Sequence, residues 1–178
     1  MKTKHLYTVS NKEIYDKFKN SNPVDFEKYI NLFIEAEKEN DENLSKNDVF
    51  TLLLSECVKQ RDVDTVKYIL ENHYHDGLLT DIDVFNRSPI SFLFMKKDAE
   101  IESTVKQFIK THSIPKTTLT GEYFKDMHYL LGYKGEHYEG YIQDFLKPLF
   151  LEEHVEVLGK TMFDTSGLDN GIVPMENL

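Results

Sequence analysis

Arg61-Asp62-Val63-Asp64-Thr65-Val66-Lys67-Tyr68-Ile69-Leu70 is the stretch that decides the fold. Val63, Val66, Ile69 and Leu70 fall on one side of a 3.6-residue helix. Just before it, Phe50, Leu53, Leu54, Cys57 and Val58 make a stripe with the same spacing. Only Gln60-Arg61-Asp62 separates the two, so the helices are expected to lie antiparallel and close, as in an αα-hairpin.

Working outward, parts of this stretch recur. Lys67-Tyr68-Ile69 repeats Lys28-Tyr29-Ile30, and Thr65-Val66-Lys67 returns as Thr104-Val105-Lys106, in both cases at an offset of 39 residues. A looser copy is Val105-Lys106-Gln107-Phe108-Ile109. A fixed period of this size marks a stacked array, in which each unit hides its apolar face against the next. In each copy the Ile belongs to the buried stripe, and Lys28 and Lys67 are expected to project outward.

The remaining segments fit helix pairs. Phe26, Tyr29, Ile30, Phe33 and Ile34 make one stripe, opened by Asn22 as cap, Pro23 at the first helical position and Asp25 in the first turn. The acidic run from Glu35 to Glu42 loses the stripe and is expected to end that helix as a solvated segment or a docking patch for a basic surface. Residues 73–87 form a connector containing Gly77 and several turn formers. Ser88-Pro89 restarts a helix, Ile101, Val105, Phe108 and Ile109 line the next, and Pro115 closes the unit. Phe124, Met127, Tyr129 and Leu130 or Leu131 suggest a further helix with a turn at Gly132 to Gly135. Tyr138, Tyr141, Ile142, Phe145, Leu146 and Leu149 suggest its partner. The expectation is an all-α chain: a short solenoid of three to four antiparallel helix pairs with extended connectors. It spans residues 1–158, and an irregular tail over 159–178 packs on the last pair.

Asp83-Val84-Phe85-Asn86-Arg87-Ser88-Pro89-Ile90 resembles the loop that leads into the Thr-Pro-Leu-His helix start of ankyrin repeats. Arg61 to Leu70 is similar to that family's second helix, with its Gly-(His/Asp) entry followed by an Ile/Val-Val pair. The likeness is sharpest over residues 48–110; the 39-residue spacing exceeds the family's usual length near 33, and Ser91 stands where the family usually has His. The resemblance implies a protein-binding scaffold without chemistry, acting through connector tips and the exposed face of the shorter helices. By position these are Tyr74, His75, Asp76, Asp83, Phe85 and Arg87, then residues 116–123 with Glu122 and Tyr123. Tyr123 and Tyr133, near turns in a tyrosine-rich stretch, are interface candidates in their own right.

Composition agrees with a binding role. The formal charge of −10 disfavours nucleic acid, which needs basic patches, and suits a protein partner with a basic surface. No run of 18 apolar residues and no apolar leader occurs, which points to the cytoplasm of a bacterium or a host cell and away from membranes. Cys57 is the single cysteine, and its place on an apolar stripe marks it as an inert core residue. No Gly-x-Ser-x-Gly element or phosphate loop is present, so no catalytic residue, cofactor or metal is expected. The leading expectation is a module that binds and sequesters or inhibits another protein, such as an immunity protein or an effector. The alternative is a small metal-binding protein or enzyme built on His73, His75 and Asp76, with His128 or His137 as a further ligand.

Overall fold

A computed structural model describes residues 9–81, 87–117 and 138–155. Among these residues the chain is mostly helical and has no strand; the extended pairing present is a parallel bridge between Thr117 and Phe150. Two compact units divide between Ile101 and Glu102. The first holds α1 (Asn11–Asn20), α2 (Pro23–Ala36), α3 (Lys46–Lys59), α4 (Val63–Asn72) and α5 (Pro89–Lys96). α6 (Ala99–Thr111) starts at the boundary, and the second unit continues it with α7 (Tyr138–Tyr141) and α8 (Lys147–Leu149).

Each helix of the first unit opens on a polar cap. Ser10, Asn22, Ser45, Asp62 and Ser88 accept the backbone N–H three residues on, satisfying donors that the helix itself leaves open. Ser45 with Asp48, and Ser88 with Ser91, close full capping boxes. Asn22 and Pro23 start α2 as the sequence predicts. Ser91, out of place against the ankyrin pattern, is the second half of a cap.

α3 lies at the centre of this unit. It packs against α1, α2, α4 and α5. The sequence predicts one buried stripe on α3, but every residue from Asp48 to Val58 is buried. Successive residues on a helix are about 100° apart, so Leu52, Leu53 and Leu54 cannot share one face. All three are at most 1% exposed because neighbours cover the helix on several sides. The polar residues enclosed with them are partnered within reach: Thr51 Oγ1 donates to the Asn47 carbonyl at 3.3 Å, and Glu56 accepts from the Gln60 amide at 2.8 Å.

The turn into α4 explains the polar triplet. Arg61 N–H bonds the Val58 carbonyl and Asp62 N–H bonds that of Cys57, a Schellman pattern with Arg61 in the left-handed region at φ +59°. Lys97, after α5, repeats this conformation at φ +49°, and Asp98 caps α6 by accepting from Ile101 N–H. Arg61 and Lys97 are 36 residues apart, as are Asp62 and Asp98. The stripe pairs Val66/Val105, Ile69/Phe108 and Leu70/Ile109 keep the offset of 39. The difference lies in helix length: α4 has 10 residues and α6 has 13, so their starts and ends follow different periods.

Two expectations are corrected here. Glu37, in the acidic run expected to be solvated, is fully buried, and its carboxylate accepts from the Asn40 amide at 3.0 Å while Glu35, Glu39 and Glu42 stay exposed. Closing the chain behind α2 folds Glu37 inward: its carbonyl accepts from Asn40 and Asp41, tying the turn together. The expected continuous helix over Tyr138 to Leu149 widens into a π-helical turn at Ile142–Leu146. Pro148 lacks an N–H and its ring would strike the Asp144 carbonyl of a regular helix, which the wider turn moves aside. Ile142, Phe145, Leu146 and Leu149 are buried as predicted. Tyr141 donates to Glu102 at 2.7 Å, and Lys106 pairs with Asp144 at 3.1 Å. The expected helix and turn over residues 124–135, and the tail from 159, lie outside the described residues.

Arg61 occupies a conformation that costs a side-chain-bearing residue about 1 kcal/mol and glycine little. Among the described residues its guanidinium donates to the Lys96 carbonyl, a bond that is long at 3.4 Å and exposed. Arg61→Gly is therefore expected to stabilise the chain by about 0.5–1 kcal/mol, and Arg61→Val to destabilise it. Urea unfolding followed by circular dichroism measures both; equal midpoints for the two variants would refute the assignment.

Candidate functional site

Of the partner-binding residues named from sequence, Tyr74, His75, Asp76 and Arg87 are among the described residues. Tyr74 and His75 are half-buried, Asp76 is exposed, and Arg87 is exposed with its guanidinium 6.0 Å from the Phe92 ring centre. Asp83, Phe85, Glu122, Tyr123 and Tyr133 lie outside the described residues, with His128 and His137 of the alternative reading. His75 Nδ1 donates to the His73 carbonyl at 3.1 Å, and its Nε2 lies 3.2 Å from the Thr51 hydroxyl oxygen. His73 instead stacks on Phe50, with ring centres 3.8 Å apart and planes at 12°. Phe50 and Thr51 are adjacent on α3 and point to different faces, so the two imidazoles are held apart. Among the described residues no three His, Cys, Asp or Glu side chains are placed to hold a metal.

The stacking of His73 leads to a feature that was not predicted. Phe18 of α1 meets Phe26 of α2 edge-on at 5.0 Å, Phe26 meets Phe50 of α3 at 6.0 Å, and Phe50 stacks on His73. Tyr68 of α4 lies 5.5 Å from His73 and 5.9 Å from Phe18, which closes a circuit of five rings. All five line one groove of about 400 Å³. Phe26 and Phe50 are buried and make its floor, Phe18 and His73 are half-buried walls, and Tyr68 is 40% exposed at the edge. Ile30 and Pro23 add aliphatic surface; Lys46, Glu27 and Asp64 stand among the lining groups. Desolvation, with Lys46 and His75 adding to it, lowers the His73 pKa, so its ring is neutral at pH 7.

Asp62 sets the groove's geometry. Its carboxylate accepts from the Tyr15 hydroxyl at 2.8 Å and the Thr65 hydroxyl at 2.7 Å, and pairs with Lys19 at 3.0 Å. Tyr15 and Lys19 are four apart on α1, and Phe18 shares their face, so anchoring the first two lays Phe18 on Tyr68. Burial alone would raise the Asp62 pKa, but bonds from Thr65, Lys19 and Tyr15 outweigh it and hold the carboxyl below its ordinary 3.8.

No single motif announces this site, since its rings come from four helices. The visible signal is an aromatic at Phe18, Phe26, Phe50 and Tyr68, each within two turns of a helix end that faces a neighbour. Cys57 behaves as expected: it is fully buried, and burial, followed by the Asp62 charge, pushes its thiol up.

Two outcomes follow. A carboxyl with a depressed folded-state pKa stabilises the fold above its unfolded value near 3.8, and that share is lost as pH falls through the folded value. Asp62→Asn is expected to lower stability at pH 7 by about 1–3 kcal/mol and to flatten the acid limb of a urea-midpoint profile as pH falls below the ordinary carboxyl value of 3.8. An unchanged acid limb would show that Asp62 plays no such part. The Cys57 thiol is expected to stay unreactive toward a chromogenic disulfide reagent at pH 8 in the native state and to react fully in denaturant; rapid native labelling would contradict the packing.

Compared with known protein families, with curated proteins and with solved structures, the chain matches none.

Proposed function

We propose that this chain is a non-catalytic protein-binding scaffold of stacked helix pairs, and that it captures a partner through the five-ring groove walled by α1, α2, α3 and α4. The groove is the observation that carries this reading. Aromatic rings offer large contact area at little cost in rotamer entropy, and Tyr and Trp are enriched among the few residues that carry most of an interface's binding energy. A half-open aromatic cavity with a neutral imidazole in its wall suits an anchoring side chain of a partner better than it suits a reaction. Of its lining groups, Thr65 is engaged with Asp62, Lys46 with Glu27, and His73 is stacked on Phe50.

The α3–α4 hairpin, with its left-handed turn residue and capped entry, supports an ankyrin-like character for this part of the chain, as does the Ser88-Pro89 restart of α5 against α3. A net charge of −10 favours a basic partner, whose approach it would accelerate. Binding of this kind acts by occupying the partner's surface, and so by sequestering or inhibiting it.

The test uses the full chain as bait. Tyr68→Ala combined with His73→Ala removes two walls and leaves the buried floor in place, so the fold should survive with a loss of about 1–2 kcal/mol. Partner retained by the wild-type bait from native lysate is expected to fall at least about tenfold with this variant, the loss of one aromatic hot spot. Equal retention by a folded double variant would overturn the groove as the docking site.

A further inference from the structure

We infer that the groove is built to receive an arginine side chain from a basic segment of the partner protein; this rests on the docking role just proposed. The argument begins with what lines the cavity. Five of its groups are aromatic rings, and only Ile30 and Pro23 are aliphatic. A pocket for a plain apolar side chain needs no such bias, whereas a cation is drawn to ring faces within roughly 6 Å of the centroid. At the more open side Tyr68 lies 5.9 Å from Phe18 and 5.5 Å from His73, so a planar cation stacked there meets more than one ring.

Charge completes the case. Two lysines stand near the groove, and each is held by its own carboxylate: Lys46 by Glu27 at 3.0 Å and Lys19 by Asp62 at 3.0 Å. Asp64, exposed and lining the same groove, carries no ion pair among the described residues. A carboxylate beside an aromatic wall matches guanidinium on both counts, because the planar fork bonds a carboxylate bidentately while its face stacks on a ring. Lysine fits less well, since its ammonium is compact and strongly hydrated. His73, whose pKa is lowered by burial and then by Lys46, adds no second positive charge to the wall beside Lys46, which Glu27 pairs at 3.0 Å.

Three peptides separate the possibilities: Ser-Gly-Arg-Gly-Ser, the same sequence with citrulline (the uncharged isostere of arginine), and the same with norleucine. Each is titrated into the full chain, and the backbone and aromatic NMR signals of Phe18, Tyr68 and His73 are followed. The arginine peptide is expected to bind about five- to tenfold tighter than the citrulline peptide, as a desolvated cation–π contact with a carboxylate partner requires. Asp64→Asn should remove part of that advantage, leaving the ring contribution, and should leave citrulline binding unchanged. Equal affinity for arginine and citrulline, or tightest binding of norleucine, overturns the cationic occupant and leaves the groove standing as an apolar docking site. No shift of the groove signals with any of the three overturns this inference and counts against the groove as the anchoring site.

Discussion

Helix α3 has no solvent face over the turns from Asp48 to Val58, and the first unit is organised around that enclosure. A helix that buries Leu52, Leu53, Leu54, Cys57 and Val58 together must be covered from several directions. Each such side chain contributes roughly 1–3 kcal/mol by leaving water, and none can be released without exposing the others. α1, α2, α4 and α5 are the cover. Each of these four opens on a capped turn, so the entry of every cover helix is set by local hydrogen bonds before packing begins.

Enclosing one helix with several short ones leaves the places where the covers meet. The groove lies at such a place, where α1, α2 and α4 come together over Phe50. Asp62 makes this meeting reproducible. It caps α4, receives Tyr15 and Lys19 from α1, and sits one residue beyond the left-handed Arg61 that turns the chain out of α3. One carboxylate thus couples the hairpin turn to the docking of α1, and the ring of Phe18 is placed as a result. Partly buried networks of this kind are costly when incomplete, which favours a single arrangement of the helices around them.

Much of the helical layout was legible because it is written locally. Asn22-Pro23 and Ser88-Pro89 are cap signals within two residues, and the stripe Val66, Ile69, Leu70 is a periodicity within one helix. What was not legible depends on comparison between distant residues. The 39-residue offset matched the stripes of α4 and α6 but not their starts, because three residues are added inside α6 and a sequence match cannot say where. Glu37 is acidic within an acidic run, and only the closure of the chain behind α2 buries it. The sequence paired His73 with His75 as candidate metal ligands, and what it could not show is that the first ring stacks on Phe50 while the second reaches Thr51, neighbours on α3 that face different ways.

The repeated Lys-Tyr-Ile phrase shows how buried and exposed roles divide the same three positions. Its Ile is buried in both helices that carry it, as Ile30 and Ile69, and its Lys is exposed in both, as Lys28 and Lys67. The Tyr lies between them, about 100° from each, on the flank where the buried face meets solvent. A residue in that position takes the role its surroundings allow. In α2, Tyr29 is half-buried, flanked by Phe26 and with the Lys17 ammonium 5.8 Å from its ring centre. In α4, Phe18 approaches from one side and His73 from the other, and Tyr68 becomes a groove wall. In α6 the position is Gln107, and no ring stands there. The phrase therefore repeats because its Ile must pack, and its middle residue becomes a groove wall in the copy where neighbouring helices bring other rings to meet it.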